Sequence, residues 1–171
     1  HAYVYAKVPA TTEKGKKAAK IGFLAHLDTS PALDGKCEHP QFVDYKGGDI
    51  TLGHGFVMRE KEFPALAKYQ GKRLIMTDGS TLLGADDKAG VAAAMELAQN
   101  LLEQRDIEHG DVFFAFCPDE EIGHGASLLD LQRFAADYAF TIDGGAVGEL
   151  EYETFNAASA KISIQGKSVH P

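Results

Sequence analysis

Four short stretches of this chain hold residue types that bind divalent cations: His26-Leu27-Asp28, Asp86-Asp87-Lys88, Asp119-Glu120-Glu121 and Asp143-Gly144-Gly145. A neutral imidazole and several carboxylates converging on one crevice make a ligand set for zinc or a similar metal. In His26-Leu27-Asp28 the two polar side chains fall on the same side of an extended segment. His26 can then ligate a metal while Asp28 fixes the orientation and basicity of its ring. The same pair also suits a core histidine hydrogen-bonded to a nearby acid. Asp86-Asp87 stands just before a helical pattern, where an acid is an ordinary cap favoured by the helix dipole. Two adjacent acids exceed what a cap needs, and a carboxylate can bridge two cations. Asp119-Glu120-Glu121 is a run of three acids, costly unless a cation or a raised pKa relieves the repulsion. One glutamate would ligate metal while its neighbour takes a proton from an attacking water; the alternative is a solvated acidic turn. The glycines after Asp143 let the backbone approach closely and take positive φ, as a ligand wall or a simple turn would require.

The positions of these residues along the chain suggest what brings them together. His26 follows the apolar run Ile21–Ala25, the acids at 119–121 follow Val112–Cys117, and Asp143 follows Tyr138–Ile142. All three runs read as strands. Ligands of open α/β sheets bind outside the carboxyl ends of the strands. Such a sheet would gather His26, Asp86, Glu121 and Asp143 at one edge, with Asp28 and Glu120 close behind. From Asp87 to Gln104 the apolar positions Val91, Ala94, Met95, Ala98, Leu101 and Leu102 recur at helical spacing, which predicts one amphipathic helix with an Asp at its start as a cap. His1 to Pro9 alternates as an edge strand does, Lys61–Gly71 fits one or two helical turns, Arg73–Thr77 a short strand and Ser127–Ala136 a further helix. Strands alternating with helices give an α/β class with a mostly parallel, doubly covered sheet. The Gly-, Pro- and Asp-rich stretch Thr29–Gly55 shows no helical period, and loops of that length are usually functional or disordered.

After Gly148 the pattern changes. Residues 149–153 and 159–165 alternate strictly, as half-exposed antiparallel strands do. A boundary is placed near Asn156–Ser159, so that residues 1–156 form a partial catalytic domain and 157–171 begin a smaller α+β lid or dimerisation domain. Gly144-Gly145 lacks the spacing of a dinucleotide-binding loop.

The 171 residues include 25% charged and 44% hydrophobic side chains, the composition of a folded globular chain. A formal net charge of −8 argues against a nucleic-acid partner, and no apolar run approaches the roughly 20 residues needed to cross a bilayer. The two cysteines, Cys37 in a polar loop and Cys117 at the end of an apolar strand, suit reduced thiols and a cytoplasmic location. The chain starts at His1 rather than Met and stops mid-pattern at Pro171, so both ends are expected to be cut.

Taken in order, HLDTSP, YKGGDITLG, TLLGADDKAG, PDEEIG, TIDGG and FNAAS with VHP resemble the co-catalytic zinc exopeptidase family that contains carboxypeptidase G2 and the dipeptidase PepV. YKGGDITLG and FNAAS point to its tripeptide aminopeptidase branch. The resemblance covers almost the whole chain. It implies two zinc ions per active site and a substrate drawn from short peptides. His26 would be a ligand of the first zinc, completed by Asp143, and Asp28 its orienter. Asp86 would bridge both ions, Glu121 would hold the second, and Glu120 would be the general base. His170 resembles a lid-domain histidine that reaches the partner subunit's active site and stabilises an oxyanion there, which implies a homodimer through the lid; a surface histidine is the alternative. The family pattern also needs one further histidine toward the end of the full catalytic domain, which this sequence does not contain. A molecule ending at Pro171 is therefore expected to hold the first metal at best. A related deacylase or dipeptidase shares the same chemistry. A non-catalytic metal-binding scaffold is the reading from another class, and an intact Glu120 argues against it.

Overall fold

A computed structural model describes residues 2–104, 106–146, 148–154 and 156–169. The regular elements are β1 (Val4–Val8), β2 (Ile21–His26), β3 (Gln41–Asp44), β4 (Ile50–Thr51), β5 (Val57–Met58), β6 (Arg73–Met76), α1 (Ala85–Glu103), β7 (Val112–Cys117), α2 (Leu131–Phe134) and β8 (Tyr138–Thr141). Four strands form the main sheet in the order β1-β7-β2-β8. β7, β2 and β8 run parallel, and β1 closes one edge antiparallel to β7. His26 pairs in register with Cys117. The ends of the parallel strands therefore lie side by side, and whatever follows them shares one edge.

The covering of the sheet follows from the alternation of β7, all six residues of which are buried. Val112, Phe114 and Phe116 pack with Ala94 and Leu101 of α1, and with Val8 and Ala25. Phe113 and Ala115 face the other way onto Phe134, with Leu24, Leu129, Ala135 and Ala136 around them. Successive strand side chains point to opposite faces, so a continuous apolar run is what a doubly covered strand requires. Gly22 in β2 admits the Phe134 ring, which a β-carbon at that position would strike.

Residues 41–77 form a small unit between β2 and α1. β3 pairs with β6 and β4 with β5, both antiparallel. Tyr45, Ile50 and Leu66 are its buried centre. A 3-10 helix over Pro64–Tyr69 supplies Leu66, in the place expected for one or two helical turns. The Thr29–Gly55 stretch thus contains β3 and β4, strands too short to leave a period.

Two expectations are corrected. The helix predicted over Ser127–Ala136 is only Leu131–Phe134. Asp130 caps its start, its carboxylate accepting the N–H groups of Gln132 and Arg133, and Ala135 ends it in the left-handed region. The segments 149–153 and 159–165 contain no strand among the described residues and are exposed. An alternating segment gains stability only from a sheet partner, and no described segment pairs with them. Among the described residues no helix is long and apolar enough to cross a membrane.

Candidate metal centre

His26 is the last residue of β2 and is buried, at 3% exposure. Its backbone N–H donates to Asp87 Oδ2 at 2.9 Å. Asp87 Oδ1 accepts the Gly90 N–H at 3.0 Å, so one carboxylate caps the first turn of α1 and ties that helix to the end of β2. Asp86 and Asp87 are joined by a cis peptide and have non-helical backbone angles. Those angles place the start of the regular helix after the capping Asp87.

The two ring nitrogens of His26 both face acceptors. Nδ1 lies 2.9 Å from the backbone carbonyl of Asp28, and Nε2 lies 2.8 Å from Asp86 Oδ1. A carbonyl oxygen only accepts, so Nδ1 carries a proton. An ionised carboxylate only accepts too, which leaves a cation to be supplied at Nε2, either a second proton or a metal. Burial opposes charge on the ring, but Asp86, Asp87, the Asp28 carbonyl and Asp143 outweigh it and hold the pKa above the usual histidine value.

Asp28 is the expected orienter of this ring. Its carbonyl bonds Nδ1 and its Oδ1 lies 3.4 Å from the same nitrogen, while both carboxylate oxygens also reach across to the next loop. Oδ1 accepts the Glu120 N–H and Oδ2 the Glu121 N–H, each at 3.1 Å. Burial raises the Asp28 pKa, but the two amides and the charge of His26 more than offset this and keep it below the usual carboxylate value. Glu120 Oε2 then stands 3.8 Å from His26 Nε2. Partial burial, with Asp143, Glu121 and Asp28 adding to it against the opposing pull of His26, raises the Glu120 pKa above the usual carboxylate value.

His26, Asp86 and Glu121 offer ligand atoms all within 4.8 Å of one another, and so do His26, Asp87 and Asp143. Six carboxylates surround one imidazole: Asp28, Asp86, Asp87, Glu120, Glu121 and Asp143. Among the described residues none of them pairs with a lysine or arginine. Lys88 turns instead to the carbonyls of Leu83 and Gly84. Uncompensated acids at this density need a cation, and mixed nitrogen and oxygen donors suit zinc and its neighbours. The residues present fit a metal centre. A cleft of about 340 Å³ opens beside it, lined by His26, Cys117, Glu120, Gly123, Gly125 and Asp143 among others.

Every described residue of the expected set is therefore at one sheet edge: His26, Asp28, Asp86, Glu120, Glu121 and Asp143. His170 lies outside the described residues. Sequence reasoning missed the tie from Asp87 to the His26 backbone. An acid three residues before Gly90 at a helix start looks like a cap and nothing more.

Residues 72–167, more than half of the chain, match the sequence profile described as M42 glutamyl aminopeptidase. Peptidase T of Clostridium novyi is 54% identical over 99% of this chain and 42% of its own length. Peptidase T of Geobacillus kaustophilus is 53% identical over 99% and 41%. The chain thus spans about two fifths of the relatives it matches. Among solved structures, the aminopeptidase PepT of Bacillus cereus superposes with a TM-score of 0.55 at 28% identity, over 84% of this chain and 30% of that one. A tripeptidase of Staphylococcus aureus gives 0.55 at 26% identity over the same shares. Those neighbours share the mixed α/β sheet, and the fold, the cluster and the profile agree: the chain belongs to the M42 glutamyl aminopeptidase family.

Proposed function

We propose that this chain carries the metal-binding core of an aminopeptidase that releases the N-terminal residue of short peptides, tripeptides in particular, with zinc as its metal and two ions per active site. The observation that carries this reading is the His26 ring, held between the Asp28 carbonyl and the Asp86 carboxylate among six acids that no lysine or arginine neutralises among the described residues. The named activities of the Bacillus cereus and Staphylococcus aureus proteins support the choice of substrate.

His26 and Asp143 would hold the first ion, Asp86 would be shared, and Glu121 would hold the second. When bound, the metals would polarise the scissile carbonyl and acidify the attacking water. Glu120 stands beside His26 to accept that water's proton and pass it to the leaving amine. Asp28 keeps the His26 ring in the tautomer that leaves Nε2 free for metal, and holds Glu120 and Glu121 in place through their amides. Asp87 fixes the backbone of His26 against α1. Residues 157–171 would begin a lid through which two copies pair, with His170 reaching the neighbouring site to stabilise the oxyanion. The free thiols of Cys37 and Cys117 support a cytoplasmic location.

The test is hydrolysis by the full-length, zinc-loaded protein of an unblocked tripeptide beside its N-acetylated form. Release of the first residue from the free-amine peptide alone supports the reading. Loss of the acetyl group from the blocked form would move the activity to deacylation, and no turnover of either would leave a metal-binding scaffold.

A further inference from the structure

The loop between β7 and α2 carries both Glu120 and Glu121, and Asp28 holds it at one end. Within the loop, the Gly123 N–H donates to the Glu120 carbonyl at 2.7 Å and the His124 N–H to that of Asp119 at 2.8 Å. Its far side is held by a residue ahead of the edge strand. The Tyr3 hydroxyl donates to the Gly125 carbonyl at 2.9 Å and accepts the Leu128 N–H at 3.3 Å. Gly125 lies directly against Glu120: a β-carbon on it would sit 2.9 Å from Glu120 Cα and 3.0 Å from Cβ. A continuous line of contact therefore runs from the Tyr3 hydroxyl through Gly125 to the backbone of Glu120.

We infer that Tyr3 is a positioning residue for Glu120, setting through Gly125 where that carboxylate stands relative to His26. The inference rests on the role given above to Glu120. Tyr5 is a built-in comparison. Its ring stacks on Tyr3 with centroids 6.3 Å apart, and its hydroxyl also accepts a backbone N–H, but that of Asp130 at 2.8 Å, beyond the loop at the start of α2. Both tyrosines fasten the same stretch of chain to the edge of the sheet, and only Tyr3 touches the part that packs on Glu120.

The experiment compares Tyr3→Phe, Tyr5→Phe and Gly125→Ala in the full-length, zinc-loaded protein. Steady-state tripeptide hydrolysis and hydrogen exchange of the 119–128 amides are both measured. Tyr3→Phe is expected to lower kcat roughly 10-fold with KM within about twofold, because the lost alignment matters only as the water attacks. Exchange in 119–128 should accelerate. Tyr5→Phe should loosen the start of α2 and leave kcat unchanged. Gly125→Ala should lower kcat with Tyr3 intact. Wild-type kcat in Tyr3→Phe, or equal losses in both tyrosine variants, would overturn the inference. If the wild-type protein hydrolyses no peptide, the functional reading fails separately. Exchange alone then decides the latch: faster 119–128 amides in Tyr3→Phe but not in Tyr5→Phe support it, and unchanged ones overturn it.

Discussion

The carboxylate of Asp28 and the backbone N–H of Glu120 are hydrogen-bonded at 3.1 Å although 92 positions separate them in sequence. With the matching bond to Glu121, this clamp joins the end of β2 to the loop after β7, and so joins the histidine to both glutamates. Asp28→Asn keeps one acceptor oxygen and removes the other. It is expected to weaken zinc binding about 10–100-fold, the usual scale for a residue that orients ligands. Competition with a chelating dye would measure this, and wild-type affinity would show that the clamp has no bearing on the metal.

Asp87 is 2% exposed and accepts two backbone N–H groups. Asp87→Ala removes a helix cap and strands the buried His26 N–H, which together should cost about 2–4 kcal/mol. The midpoint of urea unfolding would report it. A loss under about 0.5 kcal/mol, the range of a neutral surface change, would mean that solvent replaces these bonds.

Gly90 offers a test by sign. Replacing a helical glycine with alanine normally stabilises by about 1 kcal/mol. Here the added β-carbon would strike Asp87 Oδ1 and the Ile142 carbonyl. Gly90→Ala should therefore destabilise, by about 1–3 kcal/mol as overpacked sites do. A raised unfolding temperature would show that α1 is not pressed against the end of β8.

The small β unit makes its own pH prediction. Burial, together with the hydrogen bond to Glu60 at 2.7 Å, pushes the Tyr45 phenol up to about 12. The folded chain then keeps a proton that the unfolded chain releases near pH 10. The stabilisation is fully present below about pH 10 and is lost as pH rises toward 12. In Glu60→Gln the Tyr45 transition, followed by phenolate absorbance, should move down in pH because the repelling carboxylate is gone. An unmoved transition would contradict the pairing.

The sheet edge was legible because each parallel strand announces itself twice, by an apolar run and by the ligand types that follow it. Val112–Cys117 is buried on both faces and reads as such. The helix start was legible because Asp87 is chemically a cap. What the sequence hid depends on partners distant along the chain. Asp130 shortens the helix expected over Ser127–Ala136 by capping it late, and a cap inside a helical pattern leaves the period unchanged. β3 and β4 escape notice because strands of two to four residues have too few positions to alternate. Nothing in the sequence around Tyr3 points to Gly125, 122 positions away. Residues 149–153 and 159–165 show the converse: a strand pattern that no described segment completes.

The proposed metal centre has Glu120 move the proton while its neighbours hold the ions. It is tested most directly by Glu120→Gln in the full-length protein, with bound zinc counted and tripeptide hydrolysis measured on the same sample. Zinc content should be unchanged and kcat should fall at least about 100-fold, the scale of a lost general base. Hydrolysis at the wild-type rate with zinc bound would contradict the role of Glu120. Loss of zinc together with activity would make Glu120 a ligand instead.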